Sequence, residues 1–581
     1  MNFLKNILST LVALTIFSVL SFFIFIGVFS ALTAEKPVEV EGNSVLHLKL
    51  NKPIDEMEQE NPLEEIFPVS PEILGLIQLK EAISKAKEDD NIKGIYLNAP
   101  YVQAGIATVE ELREALLDFK TSGKFVVAYG EFFTEGAYYL ASVADKVYLH
   151  PEGELELNGL SANLAFFKGM LEKLEIEPQV FRVGDFKSYV ETYTREDMSP
   201  ENRVQMESLL NSINQEMLGN LAESRNKTPE EVKEISDKML IHNPQDAKRL
   251  SMVDELFYED QVLDELKKLA GTAEEDDLEM ISYSKFRKSY STYKSSKNRI
   301  AVIVASGDII PGKGDNNTIG SDKFAKEIRK ARENDDIKAI VMRIKSPGGS
   351  FLASEVMWRE IELASQVKPV IASMSDVAAS GGYYMAMACD TIVAQPNTIT
   401  GSIGIFTIIF NAQGFLNNKL GITTDEVSTG EISTLYTMSR PLSEAQRKII
   451  QKNTDEGYET FVSKAAAGRG MSVDDIKAIA SGRVWSGMQA VENGLVDQLG
   501  GLDDAIAIAA EKAGIADDYK VRYYPEQKPF LEQLLSDLEG EARVKFMKEE
   551  MNEFYPFIKQ YERVKNLQGL QTRLPFELHL E

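Results

Sequence analysis

The chain has 581 residues, 44% hydrophobic and 26% charged, which is too long for one core and too apolar for wholesale disorder. Its 90 acidic against 63 basic residues give a net charge of −27, which excludes nucleic acid as a partner because phosphates need a basic face. The lone cysteine, Cys389, excludes an intrachain disulfide, and its neighbours Met385, Met387 and Ala388 predict a buried thiol rather than a reactive one. The four histidines are scattered without metal-ligand spacing, which argues against a zinc site or a histidine-based triad.

The first predicted element is apolar. No charged residue occurs from Ile7 to Thr33, a run longer than the roughly 20 residues that span a bilayer. Residues 1–34 are therefore expected to be a short stub and an uncleaved transmembrane anchor. Lys5 before the span places the N-terminus in the cytoplasm and the rest of the chain outside.

Two modules follow, at 43–270 and 299–524. EDDNIKGIYL (88–97) matches ENDDIKAIVM (333–342), and EFFTEGAYYL (131–140) matches DVAASGGYYM (376–385), both at an offset of 245. AKRLSMVDEL (247–256) resembles AVENGLVDQL (490–499) further on. Helix 109–120 leads into FVVAYG as helix 352–365 leads into PVIASM. Alternating β and α units of this kind predict an α/β fold with mainly parallel sheets and crossover helices. Residues 271–298, with AEEDD and a Tyr, Ser and Lys-rich run, read as a linker. Residues 525–581 read as a charged, amphipathic helical tail without a counterpart in the first module.

Three loops of the second module follow strands and carry chemistry: SPGGS (346–350), AASGGYY (378–384) and TGSIGIF (400–406). The glycines of the first let backbone N–H groups turn outward, which can hold an oxyanion. Ser380 stands where the chain enters a helix, a place for a nucleophile, and the N–H of Gly381 is a natural second oxyanion donor. The first module has Gln103–Ala104 and Glu135 at the matching positions, so it lacks both features.

No histidine lies near these loops to act as a base. Lysine can serve if burial lowers its pKa from the ordinary ~10.4 toward neutrality. Lys187, in RVGDFKSYVET beside Phe186, Tyr189 and Val190, is the leading candidate, and its repeat partner is Ser433. One module keeps the base and the other keeps the nucleophile.

From anchor to about residue 524 the chain resembles the long, duplicated form of bacterial signal peptide peptidase, also called protease IV. GDFKSYVE (184–191), SPGGS, DVAASGGYY (376–384) and TGSIGIF carry that resemblance. It implies two tandem Clp-protease or crotonase-like modules and a Ser/Lys dyad of Ser380 and Lys187. It further implies an oxyanion donor at Gly349 and Ser402 as the hydroxyl that orients the lysine. A membrane-bound homo-oligomer, a tetramer in relatives, that degrades remnant signal peptides on the outer face of the inner membrane is the implied setting. No cofactor or metal is implied. Two other readings stay open: an inactive membrane-anchored scaffold, and an acyl-CoA enzyme, against which a periplasmic address argues.

Overall fold

The computed structural model describes residues 38–58, 73–273, 275–291, 295–315, 317–526 and 569–574, with a few positions between 6 and 21. The apolar span expected over 7–33 lies largely outside the described residues. Among those that are described, no helix is long and apolar enough to cross a membrane.

Runs such as RIAVIVAS and IKAIVMRI lack the polar alternation of a half-exposed strand, and both faces of the resulting strands are buried. In the first module six strands pair in the order Glu255–Leu256, Lys146–Leu155, Phe125–Phe133, Ile92–Asn98, Ser44–Lys49, Met280–Ser282, all parallel. The second sheet repeats that order through Thr391–Ala394, Val370–Ala379, Ile337–Ser346, Arg299–Ser306 and Lys520–Tyr524. Its inner strands start at the matching places, since 337 − 92, 370 − 125 and 391 − 146 all equal 245. Crossover helices cover the sheets. In Ser321–Glu333 the apolar residues Phe324, Ile328 and Ala331 recur at helical spacing, and all are buried.

The stretch 271–298 does more than link. Its strand Met280–Ser282 pairs with Ser44–Lys49 at a sheet edge, and the helix Tyr283–Arg287 follows. A three-residue edge strand leaves too little alternation to show through a charged, polar composition.

A third sheet joins the modules. Its strands run in the order Thr318–Gly320, Asp308–Ile310, Gly348–Ser350, Gln571–Arg573, Ile405–Asn411, Glu177–Val183. The last two pair antiparallel from Ile405 opposite Val183 to Asn411 opposite Glu177, so a first-module strand completes a second-module sheet. Gln571–Arg573 belongs to the tail expected to be helical. Residues 527–568 and 575–581 of that tail lie outside the described residues.

Buried charges also hold the modules together. Arg343, in the strand Ile337–Ser346, meets Glu56 (Nε to Oε2, 2.6 Å) and Glu111 (Nη2 to Oε1, 2.6 Å), both from the first module. Lys80 reaches the other Glu111 oxygen at 2.5 Å. These cations hold the Glu111 carboxylate down at about 2 against the opposing effect of burial. Nearby, Asp376 Oδ1 accepts from Thr108 N (2.8 Å), capping the first turn of the first-module helix Ile106–Lys120.

Candidate active site

The strand Val370–Ala379 ends at Ser380, whose backbone has φ +55° and ψ −110°. For a residue with a Cβ this is a strained conformation, of the kind concentrated at functional turns. Two backbone bonds fix it: Ser380 N donates to Gly401 O (2.8 Å), and Ser380 O accepts from Tyr384 N (2.8 Å). The helix that follows, Gly381–Ala386, has only six residues, so its local amides matter more than a macrodipole.

The strand Glu177–Val183 delivers Lys187 to this turn. After Val183 the chain bends at Gly184, and Phe186 N donates to Ser481 O (3.0 Å) of the second module. Gln205 Nε2 ties the loop down by donating to Phe186 O (3.1 Å) and Ser188 Oγ (2.9 Å). Lys187 is fully buried, and its Nζ lies 2.8 Å from Ser380 Oγ, 2.9 Å from Ser402 Oγ and 3.0 Å from Ser402 O. Burial alone pushes the lysine well below its ordinary value; no carboxylate offsets it. A neutral amine has two protons to donate and one lone pair to accept with. The three contacts satisfy it fully if Ser402 takes both protons and Ser380 gives its own.

Ser402 is itself at φ +50°, and its N donates to Arg483 O (2.7 Å). The slot for the lysine stem is made by Gly404, inside TGSIGIF, and by Gly482, which lies outside every motif. A Cβ on Gly482, at φ +82°, would stand 2.7 Å from the Lys187 backbone, and one on Gly404 would stand 3.2 Å from Lys187 Cδ. GRV at 482–484 carries no motif, so nothing in the sequence signals this role.

SPGGS forms the short strand Gly348–Ser350 next to the serine. A Cβ on Gly348 (φ +102°) would stand 2.8 Å from Gly381 N, and one on Gly349 (φ +153°) would collide with Ile309 O. Both positions require glycine, and Gly348 packs directly against the Gly381 amide.

The first-module turn is built differently. Thr134 caps the helix Glu135–Ala141 in extended geometry, and the matching Glu135 begins that helix at ordinary backbone angles. Its buried carboxylate accepts from Asn158 N (3.1 Å) and Gly159 N (2.9 Å), and burial raises its pKa. Ser433, the partner of Lys187, is exposed and bonds within its own turn at Gly430. Cys389 is buried, and burial pushes its thiol pKa up, as its apolar neighbours predict.

The model of peptidase family S49 matches residues 118–273 and 362–516, one segment in each module. A chloroplastic serine protease SPPA of Arabidopsis thaliana is 38% identical over 78% of this chain and 68% of its own length. Protease 4 of Salmonella typhi is 36% identical over 81% of this chain and 76% of its own length. A solved ClpP1 point mutant from Listeria monocytogenes is 17% identical, covering 35% of this chain and 94% of its own, with a TM-score of 0.24. A serine peptidase is the class that the family defines. The chain belongs to peptidase family S49, with homologues named protease 4 and SPPA in bacteria and in a chloroplast.

Proposed function

We propose that this serine peptidase works through a Ser380/Lys187 dyad and degrades cleaved signal peptides and other short apolar peptides. The observation that carries the dyad is the fully buried Lys187 amine, 2.8 Å from Ser380 Oγ with no carboxylate to keep it charged.

Neutral Lys187 takes the Ser380 proton as Oγ attacks the peptide carbonyl, forming the C–O bond of a tetrahedral intermediate. The amides of Gly349 and Gly381 stabilise its oxyanion. The C–N bond breaks as the Lys187 ammonium protonates the leaving amine. A water, deprotonated by the same lysine, then releases the acyl group and restores Ser380. Ser402, accepting from Nζ through both its oxygens, holds the amine toward the serine throughout.

The apolar run before residue 34 supports anchoring in the bacterial cytoplasmic membrane, with both modules on its outer face and copies assembled into a homo-oligomer. The test is hydrolysis of a fluorogenic apolar peptide by the purified chain and by Ser380→Ala. Turnover should fall by several orders of magnitude in the variant while its fold is kept. Wild-type turnover in Ser380→Ala would end the dyad reading.

A further inference from the structure

The described end of the tail lies beside the candidate site. Gln571–Arg573 runs antiparallel to Gly348–Ser350, with Gly349 opposite Thr572 and Gly348 opposite Arg573. On its other side Gln571 pairs with Phe406. Phe351 N donates to Leu570 O (3.1 Å), and Leu574 N donates to Pro347 O (2.6 Å). Thr572 comes closest to the chemistry: a Cβ on Gly381 would stand 2.9 Å from its Oγ1, and one on Gly348 would collide with its carbonyl oxygen. All four residues from Gln571 to Leu574 are buried. A peptide that displaced Gln571–Arg573 and paired with Gly348–Ser350 in its place would take this lane, because edge pairing fixes main-chain position whatever the sequence. The chain's own strand therefore reports what each side chain in the lane meets.

Arg573 meets a built pocket. One guanidinium nitrogen lies 2.8 and 3.0 Å from the two Asp308 carboxylate oxygens, and the guanidinium carbon lies 5.7 Å from the Tyr189 ring centre. Asp308 stands in Asp308–Ile310, the strand whose Ile309 pairs with Gly349. Tyr189 is two residues from Lys187. An acidic fork and an aromatic face together suit a guanidinium, or less well an ammonium.

We propose that Asp308, with Tyr189, is a specificity subsite that selects a basic side chain in the residue just after the bond that is cut. This rests on the peptidase reading, with the attacked carbonyl taken as that of the residue opposite Gly349, where Thr572 O and Gly381 N both face Gly348; the next residue then occupies the place of Arg573. An acidic side chain there faces Asp308 and is rejected by like charge.

The experiment uses the full chain and one apolar peptide carrying Arg, Leu or Glu after the cut, with the cut located by mass spectrometry of the products. A tail that competes for the lane lowers kcat/KM for every peptide by the same factor, so the ratio between peptides is independent of it. Arg over Glu should be favoured about tenfold or more in the wild type, inverted in Asp308→Lys, and brought within about threefold in Asp308→Asn. The Leu peptide reports whether each variant still folds and turns over. An Arg preference absent from the wild type, or surviving in Asp308→Lys while the Leu peptide is cleaved normally, overturns the subsite. Competition of the Arg and Glu peptides against a labelled copy for binding to Ser380→Ala reads the same preference without turnover. A preference there that follows Asp308 while no variant hydrolyses anything leaves the subsite standing and sinks the peptidase reading. Hydrolysis without any binding preference does the reverse.

Discussion

Lys187 Nζ and Ser380 Oγ lie 2.8 Å apart although 193 positions separate them and each belongs to a different copy of the repeat. Neither module holds the pair alone. The meeting depends on Glu177–Val183 crossing into the second module's sheet, which sets where the chain after Val183 can go. The pairing of that strand thus makes the geometry of the candidate site depend on both modules.

The first consequence concerns the vestigial copy. Glu135 bonds two backbone amides and Ser433 lies exposed in its own turn, with no partner for attack or proton transfer among the described residues. Glu135→Gln and Ser433→Ala should each keep turnover within a few-fold of wild type. A normally folded variant below a hundredth of wild-type turnover would give the mirrored pair of Glu135 and Ser433 chemistry of its own.

The lysine slot can be tested without touching the lysine. Gly482 has φ +82°, and an added Cβ would lie 2.7 Å from the Lys187 backbone. Gly482→Ala should therefore push Lys187 out of line and lower turnover at least a hundredfold, since an ångström of misplacement is that costly. The left-handed backbone adds a stability loss of ~1–2 kcal/mol. Near-normal turnover with unchanged melting would show that the slot tolerates a side chain.

The module interface makes a thermodynamic prediction. Arg343 is buried between Glu56 and Glu111, and Lys80 is shared between Glu111 and Asp503. Arg343→Met removes one cation and leaves a buried carboxylate pair undercompensated, which should cost ~3–5 kcal/mol in urea unfolding. A loss below ~1 kcal/mol would mean that water reaches these carboxylates.

Much of this was legible in the residues themselves. The repeat is written in motif pairs at one offset, and parallel strands buried on both faces leave continuous apolar runs such as IKAIVMRI. Ser380 and Gly381 sit in a glycine-rich turn after a strand, while the roles of Gly349 and Ser402 come from the family resemblance that SPGGS and TGSIGIF carry. The absence of a nearby histidine and the serine at its repeat partner, Ser433, point to Lys187. What was hidden depends on contacts across hundreds of residues. Gly404 and Gly482 matter only because Lys187 packs on them, and Arg343 reads as one polar residue in a strand until Glu56 and Glu111 arrive. Gln571–Arg573 is three polar residues inside a tail of helical pattern, and only its neighbours make it a strand.

The proposed base allows the sharpest test. Burial places the folded-state pKa of Lys187 below its unfolded value, so between the two the unfolded chain binds more protons. In that window stability rises with pH: the group penalises folding at neutral pH, and the penalty shrinks as pH climbs toward the ordinary lysine value of ~10.4. Lys187→Met keeps the volume and removes the buried ionisable group, so it should be inactive yet as stable as wild type or more so at neutral pH. The rise in stability with pH that this group contributes should be absent from the variant. Lys187→Arg should be inactive as well, because a guanidinium does not give up its proton, and its bulk should destabilise the slot between Gly404 and Gly482. Wild-type turnover should increase with pH until the amine is fully neutral, then level off. The measurement pairs thermal melting at two pH values with turnover across the same range. A Lys187→Met chain that still hydrolyses peptide, or that melts well below wild type at neutral pH, would make Lys187 a structural residue and leave Ser380 without its base.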